Sequence, residues 1–335
     1  MADGIPLLIV ILLLVLGFIV SIAIGCNDET VSTVVGARVL TINSALLLGA
    51  ALQLIGAQLL GPGVSKTIGS GMVLTPFPLD IVLVLVLGMA IWLFIASILG
   101  YPISTTHSLV GAILGVGLWF EVTTHTPILN WATLQWLVLS WILGAFVGLG
   151  AAFGFQLVVR RIFFKKPTGS DRVHRLERTF GWLLLAMVII VGASRGGNDV
   201  SKAVGMLVMV FPDPIVWPLL LLLGSTGMGV GLFVVGRRVV TTLGTRVTAL
   251  RPSTGFSAEA SMAIVLFVAT VLGIPLSGTE VLISAVVGVG LANHDPVRGS
   301  TLKRLVLLAL LTVPLSAAFA LGLLWLYGAI RPFLL

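Results

Sequence analysis

The sequence is poor in charge and in cysteine, and each shortage excludes a class of protein. Charged side chains make up only 9% of the 335 residues, whereas 58% of the residues are hydrophobic. Soluble globular chains do not have this balance, so the composition predicts an all-α, polytopic membrane protein with room for about ten membrane segments. The single cysteine, Cys26, excludes an internal disulfide bond.

Motifs for nucleotide binding and catalysis are also missing. Without a nucleotide-binding motif, coupling to ATP is not expected, and without zinc-protease or serine-dyad spacing the chain is not expected to be an enzyme. The apolar run 5–24 lacks a basic segment and a small-residue cleavage pattern, so we expect it to be retained as a first helix. The net charge of +7 is attributed to basic cytoplasmic loops and not to nucleic-acid binding.

Two Asn-Asp pairs follow apolar runs, at a depth where charge is costly. Asn27 and Asp28 come after the run 5–24, and the same motif is repeated in the second half as Asn198 and Asp199. A carboxylate at membrane depth costs about 2.5–3.5 kcal/mol on insertion scales, which favours a functional reason for both pairs. We predict broken helices there, whose freed carbonyls join amide and carboxylate oxygens as ligands for Na⁺. The alternative is a polar kink satisfied by neighbouring helices.

The Asn-Asp motif belongs to a longer internal repeat. The segment 100–107, Gly-Tyr-Pro-Ile-Ser-Thr-Thr-His, matches 273–280, Gly-Ile-Pro-Leu-Ser-Gly-Thr-Glu, in the same chain order. Loop 62–78 contains one basic residue, whereas its counterpart 237–253 contains four arginines. Because basic loops stay in the cytoplasm, equivalent loops should lie on opposite sides of the membrane, so the halves are predicted to be inverted repeats.

Each half is also predicted to contain a re-entrant helical hairpin. The loops on either side of 79–118 are both poor in basic residues, and those on either side of 257–292 are both rich, so each segment should return to the face it entered. Pro102 and Pro275 favour turns within them. The helices that follow begin with hydroxyl side chains and free N–H groups, a combination that favours anion binding over the alternative of a simple cap. The anion candidates are Ser104, Thr105, Thr106, Ser277, Gly278 and Thr279.

Basic residues also predict the topology. Seven of the 19 lie between residues 160 and 178, which predicts a cytoplasmic segment. We therefore divide the chain into a first membrane repeat, 1–159, a basic linker, 160–179, and a second membrane repeat, 180–335. Both termini are expected outside a plasma membrane.

Taken together, these motifs resemble the inorganic phosphate transporter (PiT, solute carrier 20 type) family, over the span from Gly25 to Leu291. The resemblance implies a secondary active transporter, a symporter that carries inorganic phosphate with Na⁺ or H⁺ by alternating access. It implies that Asp28 and Asp199 contact phosphate together with the anion candidates. The Na⁺ candidates are Asn27, Asp28, Asn198, Asp199 and Glu280.

The sequence departs from the family pattern at two places, which leaves the coupling ion open. Glu29-Thr30-Val31 stands where the family usually has valine, a small residue and asparagine, and Gly278 and Glu280 replace a threonine and a histidine of the second hairpin. We favour Na⁺ over H⁺. His107 is interpreted as a proton shuttle or a structural hydrogen-bonding group. Arg195 and Lys202 would attract the anion or pair with Asp199.

The alternatives to phosphate transport are a sulfate or related oxyanion permease and, less favoured, an anion channel. Phosphate is favoured because a nearby carboxylate accepts a hydrogen bond from protonated phosphate and repels sulfate. The expected partners are phosphate, Na⁺ or H⁺, and the lipid bilayer, with a homodimer left open. No cofactor is expected beyond the coupling ion, and no nucleic acid.

Overall fold

The computed structural model of the chain describes residues 7–68, 72–75, 77–164, 169–210, 213, 215–271 and 276–330, and these ranges are mostly helical. A π-helical turn at Leu232–Gly236 joins the helix Trp217–Gly231 to the helix Arg237–Arg246. In chain order, the helices of the described residues are α1 (Leu7–Cys26), α2 (Ser32–Gly36), α3 (Ile42–Ile68), α4 (Leu79–Ile98), α5 (Thr105–Thr124), α6 (Trp131–Phe163), α7 (Ser170–Val210), α8 (Trp217–Gly231), α9 (Arg237–Arg246), α10 (Pro252–Val271), α11 (Gly278–Asn293) and α12 (Gly299–Ile330).

Seven stretches of the described chain are long and apolar enough to cross a membrane, where a spanning helix needs about 20 residues. Two further apolar helices, Val10–Cys26 and Gly278–Asn293, are shorter. The seven are Ile42–Gly61, Leu79–Ile98, Thr105–Thr124, Trp131–Phe163, Ser170–Val204, Trp217–Arg246 and Gly299–Ala329. The predicted all-α, polytopic architecture is confirmed.

The two halves of the chain pack against each other through pairs of equivalent helices. Helix α1 packs against α8, and the corresponding α7 packs against α3. In the same way α5 packs against α12, whereas α11 packs against α6. Each of these contacts joins one half to the other and has a counterpart with the halves exchanged, as expected of two structurally equivalent repeats. Their inversion across the membrane stays a prediction.

Two glycines bring helix backbones into direct contact at this interface. A Cβ atom on Gly25 of α1 would lie 1.9 Å from the carbonyl oxygen of Met228 on α8. A Cβ atom on Gly196 of α7 would lie 2.7 Å from the Cα atom of Gln53 on α3. Small residues permit such close approach between membrane helices. Because each glycine lies two residues before an Asn-Asp pair, the helix crossings determine where those pairs sit.

The predicted helix break exists in the first repeat but not in the second. Helix α1 ends at Cys26 and α2 begins at Ser32, so the segment 27–31 is non-helical. The expectation of a second broken helix is wrong, because α7 continues through Asn198 and Asp199 to Val210. Asp28 binds the backbone N–H of Thr30 two residues later, a local bond that competes with helix. Asp199 instead pairs along the helix with side chains three and four residues away.

Helical hairpins occur where the sequence predicts them. Helices α4 and α5 pack together around the turn 99–104, and α10 packs against α11. Ser104 accepts a hydrogen bond from the N–H of His107 at 3.1 Å, and Ser277 accepts one from the N–H of Glu280 at 3.4 Å. Both serines are therefore helix N-caps. The second turn lies partly outside the described residues, and the re-entrant position of both hairpins stays a prediction.

The described residues of the basic segment 160–179 are mainly helical. Helix α6 extends to Phe163 and α7 begins at Ser170, so helices cross both boundaries of the predicted linker. Arg160 donates from Nη1 to the carbonyl oxygen of Ala292 at 2.8 Å, which attaches the end of α6 to α11. The cytoplasmic location of this segment stays a prediction.

Candidate substrate and ion site

Charged side chains from both halves meet where segment 27–31 faces α7. The Nη1 atom of Arg195 lies 2.6 Å from Oε1 of Glu29 and 3.7 Å from Oδ1 of Asp28. Its Nε atom lies 3.7 Å from Oδ2 of Asp199. The Nζ atom of Lys202 lies 2.6 Å from Oδ1 of Asp199. We call these five residues the charged cluster; three carboxylates face two cations in it.

The charged cluster is almost completely shielded from solvent. Glu29 is 0% exposed, Asp28 and Asp199 are each 6% exposed, and Arg195 is 9% exposed. Removing a charge from water costs several kcal/mol, and close opposite charges with good hydrogen bonds offset that cost. Each charged group in the cluster therefore depends on its partners, and removing one leaves another buried without compensation.

Asp28 is held by hydrogen bonds to both of its oxygens. Oδ1 accepts from the N–H of Thr30 at 2.9 Å and from its hydroxyl at 2.5 Å. Oδ2 accepts from the amide of Gln53 at 2.6 Å. Because Gln53 lies on α3, this hydrogen bond joins α3 to the broken segment.

One hydroxyl group from each hairpin reaches the charged cluster. Lys202 donates from Nζ to Oγ1 of Thr105 at 2.9 Å, at the start of α5. Thr279, in the first turn of α11, donates from Oγ1 to Oε1 of Glu29 at 2.8 Å. The cluster thus contacts the N-terminal turns of both hairpin helices, where backbone N–H groups and the helix dipole favour anions.

Asn27 connects the broken segment to the first hairpin. Its side-chain amide donates to the carbonyl oxygen of Ile103, and its Oδ1 accepts from the N–H of the same residue at 3.2 Å. Ser97 of α4 contributes a hydroxyl 3.5 Å from Oδ1. Asn27 therefore positions the hairpin turn against Asp28, and its amide oxygen is already engaged by protein donors.

The anion candidates divide into four groups. Thr105 and Thr279 contact the charged cluster. Ser104 and Ser277 cap their helices instead. Gly278 lies against the guanidinium, because a Cβ atom there would be 3.4 Å from Nε of Arg195. Thr106 is buried on α5, with no hydrogen bond to the charged cluster among the described residues.

Two Na⁺ candidates lie away from the charged cluster. Asn198 is on an exposed face of α7, although its neighbour Asp199 is buried. Glu280 places Oε1 3.1 Å from Nδ1 of His107, so the equivalent positions of the two hairpins meet each other. This pair lies at a cavity of about 550 Å³ whose walls are mainly apolar residues of α6, α11 and α12. The structure does not bring the five Na⁺ candidates together.

The sequence interpretation missed the ion pair between Glu29 and Arg195, and it missed Glu259. The carboxylate of Glu259 on α10 is 0% exposed and accepts from the hydroxyl of Thr33 at 2.8 Å. The signal for Glu259 was present, since an acidic residue in an apolar run is a functional or structural exception. The Glu29–Arg195 pair gave no local signal, because its members lie in different halves.

Known proteins resemble the chain in sequence and in fold. A protein named as a candidate phosphate permease from Pyrococcus horikoshii is 30% identical, over 93% of this chain and 96% of that protein. Inorganic phosphate transporter 2-1, chloroplastic, of Arabidopsis thaliana is 26% identical, over 96% of this chain and 73% of that protein. A solved structure of a sodium-dependent phosphate transporter matches with a TM-score of 0.81 and 29% identity, covering 97% of this chain and 100% of that one.

The match to the family extends across both repeats and contains the whole charged cluster. Residues 24–320 match the phosphate transporter family. The apolar helices and the family together indicate a multi-pass membrane protein whose fold is that of a transporter. The chain therefore belongs to the phosphate transporter family.

Proposed function

We propose that the chain is a secondary active transporter that carries inorganic phosphate by alternating access, coupled to Na⁺ or H⁺. The observation that carries this proposal is the charged cluster, which both halves build at the start of both hairpin helices. Membership of the phosphate transporter family supports phosphate as the substrate.

The charged cluster supplies the donors that a phosphate ion needs. Arg195 and Lys202 offer cationic N–H groups, which form the strongest hydrogen bonds with phosphate oxygens. Thr105 and Thr279 add hydroxyl groups at two helix N-termini. These donors are engaged by carboxylates and hydroxyls in the present arrangement, so phosphate would bind by exchanging protein acceptors for its own oxygens.

The same cluster gives a reason for coupling to a cation. Three carboxylates and two cations leave one negative charge in excess when all are ionised, and an entering phosphate adds more. In a buried site that excess requires a companion cation or proton. The similarity in fold to a sodium-dependent phosphate transporter favours Na⁺. Asp28 and Asp199 are the carboxylates through which we expect the ion to act.

Uptake of labelled phosphate into proteoliposomes tests the proposal. We expect accumulation that follows an imposed Na⁺ gradient or, if H⁺ is the coupling ion, a pH gradient. Asp28→Asn and Asp199→Asn should each lower uptake by ~10–100-fold, since a hydrogen bond to a charged group is worth about 1.5–3 kcal/mol. Asp171→Asn, an exposed aspartate at the start of α7, is the matched control. Flux that ignores every cation gradient would favour a channel.

Sulfate transport is the competing function, and the same vesicles can test it. We expect excess sulfate to leave phosphate uptake nearly unchanged, because protonated phosphate has a donor that sulfate lacks. Labelled sulfate carried faster than phosphate would assign the chain to an oxyanion permease of the same fold instead.

We further propose a plasma-membrane location, with segment 160–179 in the cytoplasm, both termini outside, and assembly as a homodimer. In right-side-out vesicles, the thiol introduced by Ser170→Cys should not be labelled by an impermeant thiol reagent. The native Cys26 is 0% exposed and should not interfere. Ready labelling at position 170 would reverse the topology. The mass of the purified protein in detergent, measured by light scattering, tests the dimer.

A further inference from the structure

We propose that Glu29 is the residue that distinguishes phosphate from sulfate, by accepting a hydrogen bond from the hydroxyl group of protonated phosphate. This inference rests on the proposed function and names the residue responsible for its selectivity.

Three of the four candidate carboxylates are already engaged. Asp28 accepts hydrogen bonds on both oxygens. Asp199 has Lys202 at one oxygen and Arg195 near the other. Glu280 lies outside the charged cluster, beside the apolar cavity, with Oε1 3.1 Å from Nδ1 of His107.

Glu29 is the exception. Its Oε1 atom accepts from both Arg195 and Thr279, which fixes the plane of the carboxylate. Its Oε2 atom has no hydrogen-bond partner among the described residues, and the side chain is 0% exposed. A buried acceptor without a donor is costly, and that cost is removed when a donor arrives. Because both oxygens belong to one small planar group, Oε2 lies within the charged cluster.

Protonated phosphate and sulfate differ in the feature that Oε2 can detect. Both are tetrahedral oxyanions, but phosphate keeps at least one proton near neutral pH and sulfate keeps none. Phosphate can donate to Oε2, whereas sulfate offers only acceptors to a negative oxygen. A site whose polar group is left unpaired by an analogue rejects that analogue by up to ~10⁴–10⁵-fold. The other free acceptor near Asp28, Oε1 of Gln53, is neutral and cannot repel sulfate in this way.

The repeat does not supply a second copy of this acceptor. Position 29 corresponds in the repeat to Val200, which has no acceptor in its side chain. The second half contributes cations to the site, and the first half contributes this carboxylate.

A competition experiment with matched anions tests the proposal. Phosphate counterflow is measured in proteoliposomes against arsenate, which keeps a proton, and against selenate and sulfate, which do not. In the wild-type protein arsenate should compete and the other two should not. In Glu29→Gln the inhibition constants of selenate and sulfate should fall by at least ~10-fold relative to that of arsenate, as the amide donates where the carboxylate repelled. Arsenate and selenate are similar in size, so size does not explain such a change.

Glu259→Gln is the control, because it neutralises another buried glutamate that has a free oxygen. It should keep the wild-type order of competitors. If Glu29→Gln does not fold, Glu29→Asp keeps the charge and withdraws it by one methylene, and selectivity should again fall. Unchanged rejection of selenate in a folded Glu29 variant contradicts the proposal, as does equal competition by selenate and arsenate in the wild-type protein. Absence of phosphate counterflow contradicts the proposed function itself.

Discussion

The two Asn-Asp segments have nearly the same local sequence and different structures. The first, 24–31, leaves the helix at Cys26, whereas the second, 195–202, is helical throughout. Their charges differ as well. Glu29 in the first corresponds to Val200 in the second, and the first has no cation where Arg195 and Lys202 stand.

These differences are complementary across the interface. Two identical segments would bring like charges together around the buried site, which is costly in a low dielectric. Here one copy supplies an additional acid and the other supplies both bases, and Arg195 joins them. The repeat thus preserves the helix crossings while the paired segments have diverged into an acidic and a basic partner.

Removal of Arg195 should have the largest effect on this complementarity. Arg195→Gln leaves Glu29 buried without a cation, and breaking a buried pair in this way costs about 3–5 kcal/mol. We expect a large fall in the thermal unfolding temperature of the purified protein and loss of phosphate uptake. Arg172→Gln, on an exposed part of the same helix, should change stability by less than ~0.5 kcal/mol. Equal stability of the two variants would show that the cluster contributes nothing to the interface.

Asn27 and Asn198 occupy equivalent positions in the two segments, but their replacement should have different effects. Asn27→Ala removes both hydrogen bonds to Ile103 and leaves buried backbone groups unpaired, at about 1–3 kcal/mol for each group. Asn198→Ala removes an exposed side chain and should be nearly neutral in stability and uptake. Thermal unfolding and phosphate uptake of both variants measure the difference. A severe transport defect in Asn198→Ala alone would place that residue in the site after all.

The two glycines should give the smallest difference. Gly25→Ala forces a methyl group into the carbonyl of Met228, whereas the nearest atom to a methyl at Gly196 is 0.8 Å farther away (2.7 against 1.9 Å). Overpacking typically costs about 1–3 kcal/mol, and we expect Gly25→Ala to lie at or above the upper end and Gly196→Ala below it. Gly154→Ala, with no atom within 4 Å of the added methyl group, is the control. Unfolding temperatures of the three variants give the order. If Gly196→Ala lowers the unfolding temperature more than Gly25→Ala, the distances to the neighbouring backbone do not determine the cost.

The sequence was sufficient for the membrane helices, because they depend on local composition, but it favoured anion binding over the helix caps that Ser104 and Ser277 form. It predicted Asp28, Asp199, Thr105 and Thr279 as site residues, and the structure brings them together.

Tertiary contacts decided what the sequence could not. Helix α7 continues through Asn198 and Asp199, and Arg195 on it forms an ion pair with Glu29 of the other half. The exposure of Asn198 follows from that continuous helix. The role of Glu29 depends on α7 and α11, whose residues lie far away in the chain.

The contacts at Gly25 and Gly196 also limit how the halves can move. Side-chain contacts can adapt by changing rotamer, but backbone atoms in van der Waals contact have no such freedom. In the alternating access proposed above, the crossings of α1 with α8 and of α7 with α3 should therefore act as pivots that keep their distance while the helices move. The contacts of Thr105 with Lys202 and of Thr279 with Glu29 are single hydrogen bonds, which can break and re-form during the proposed motion.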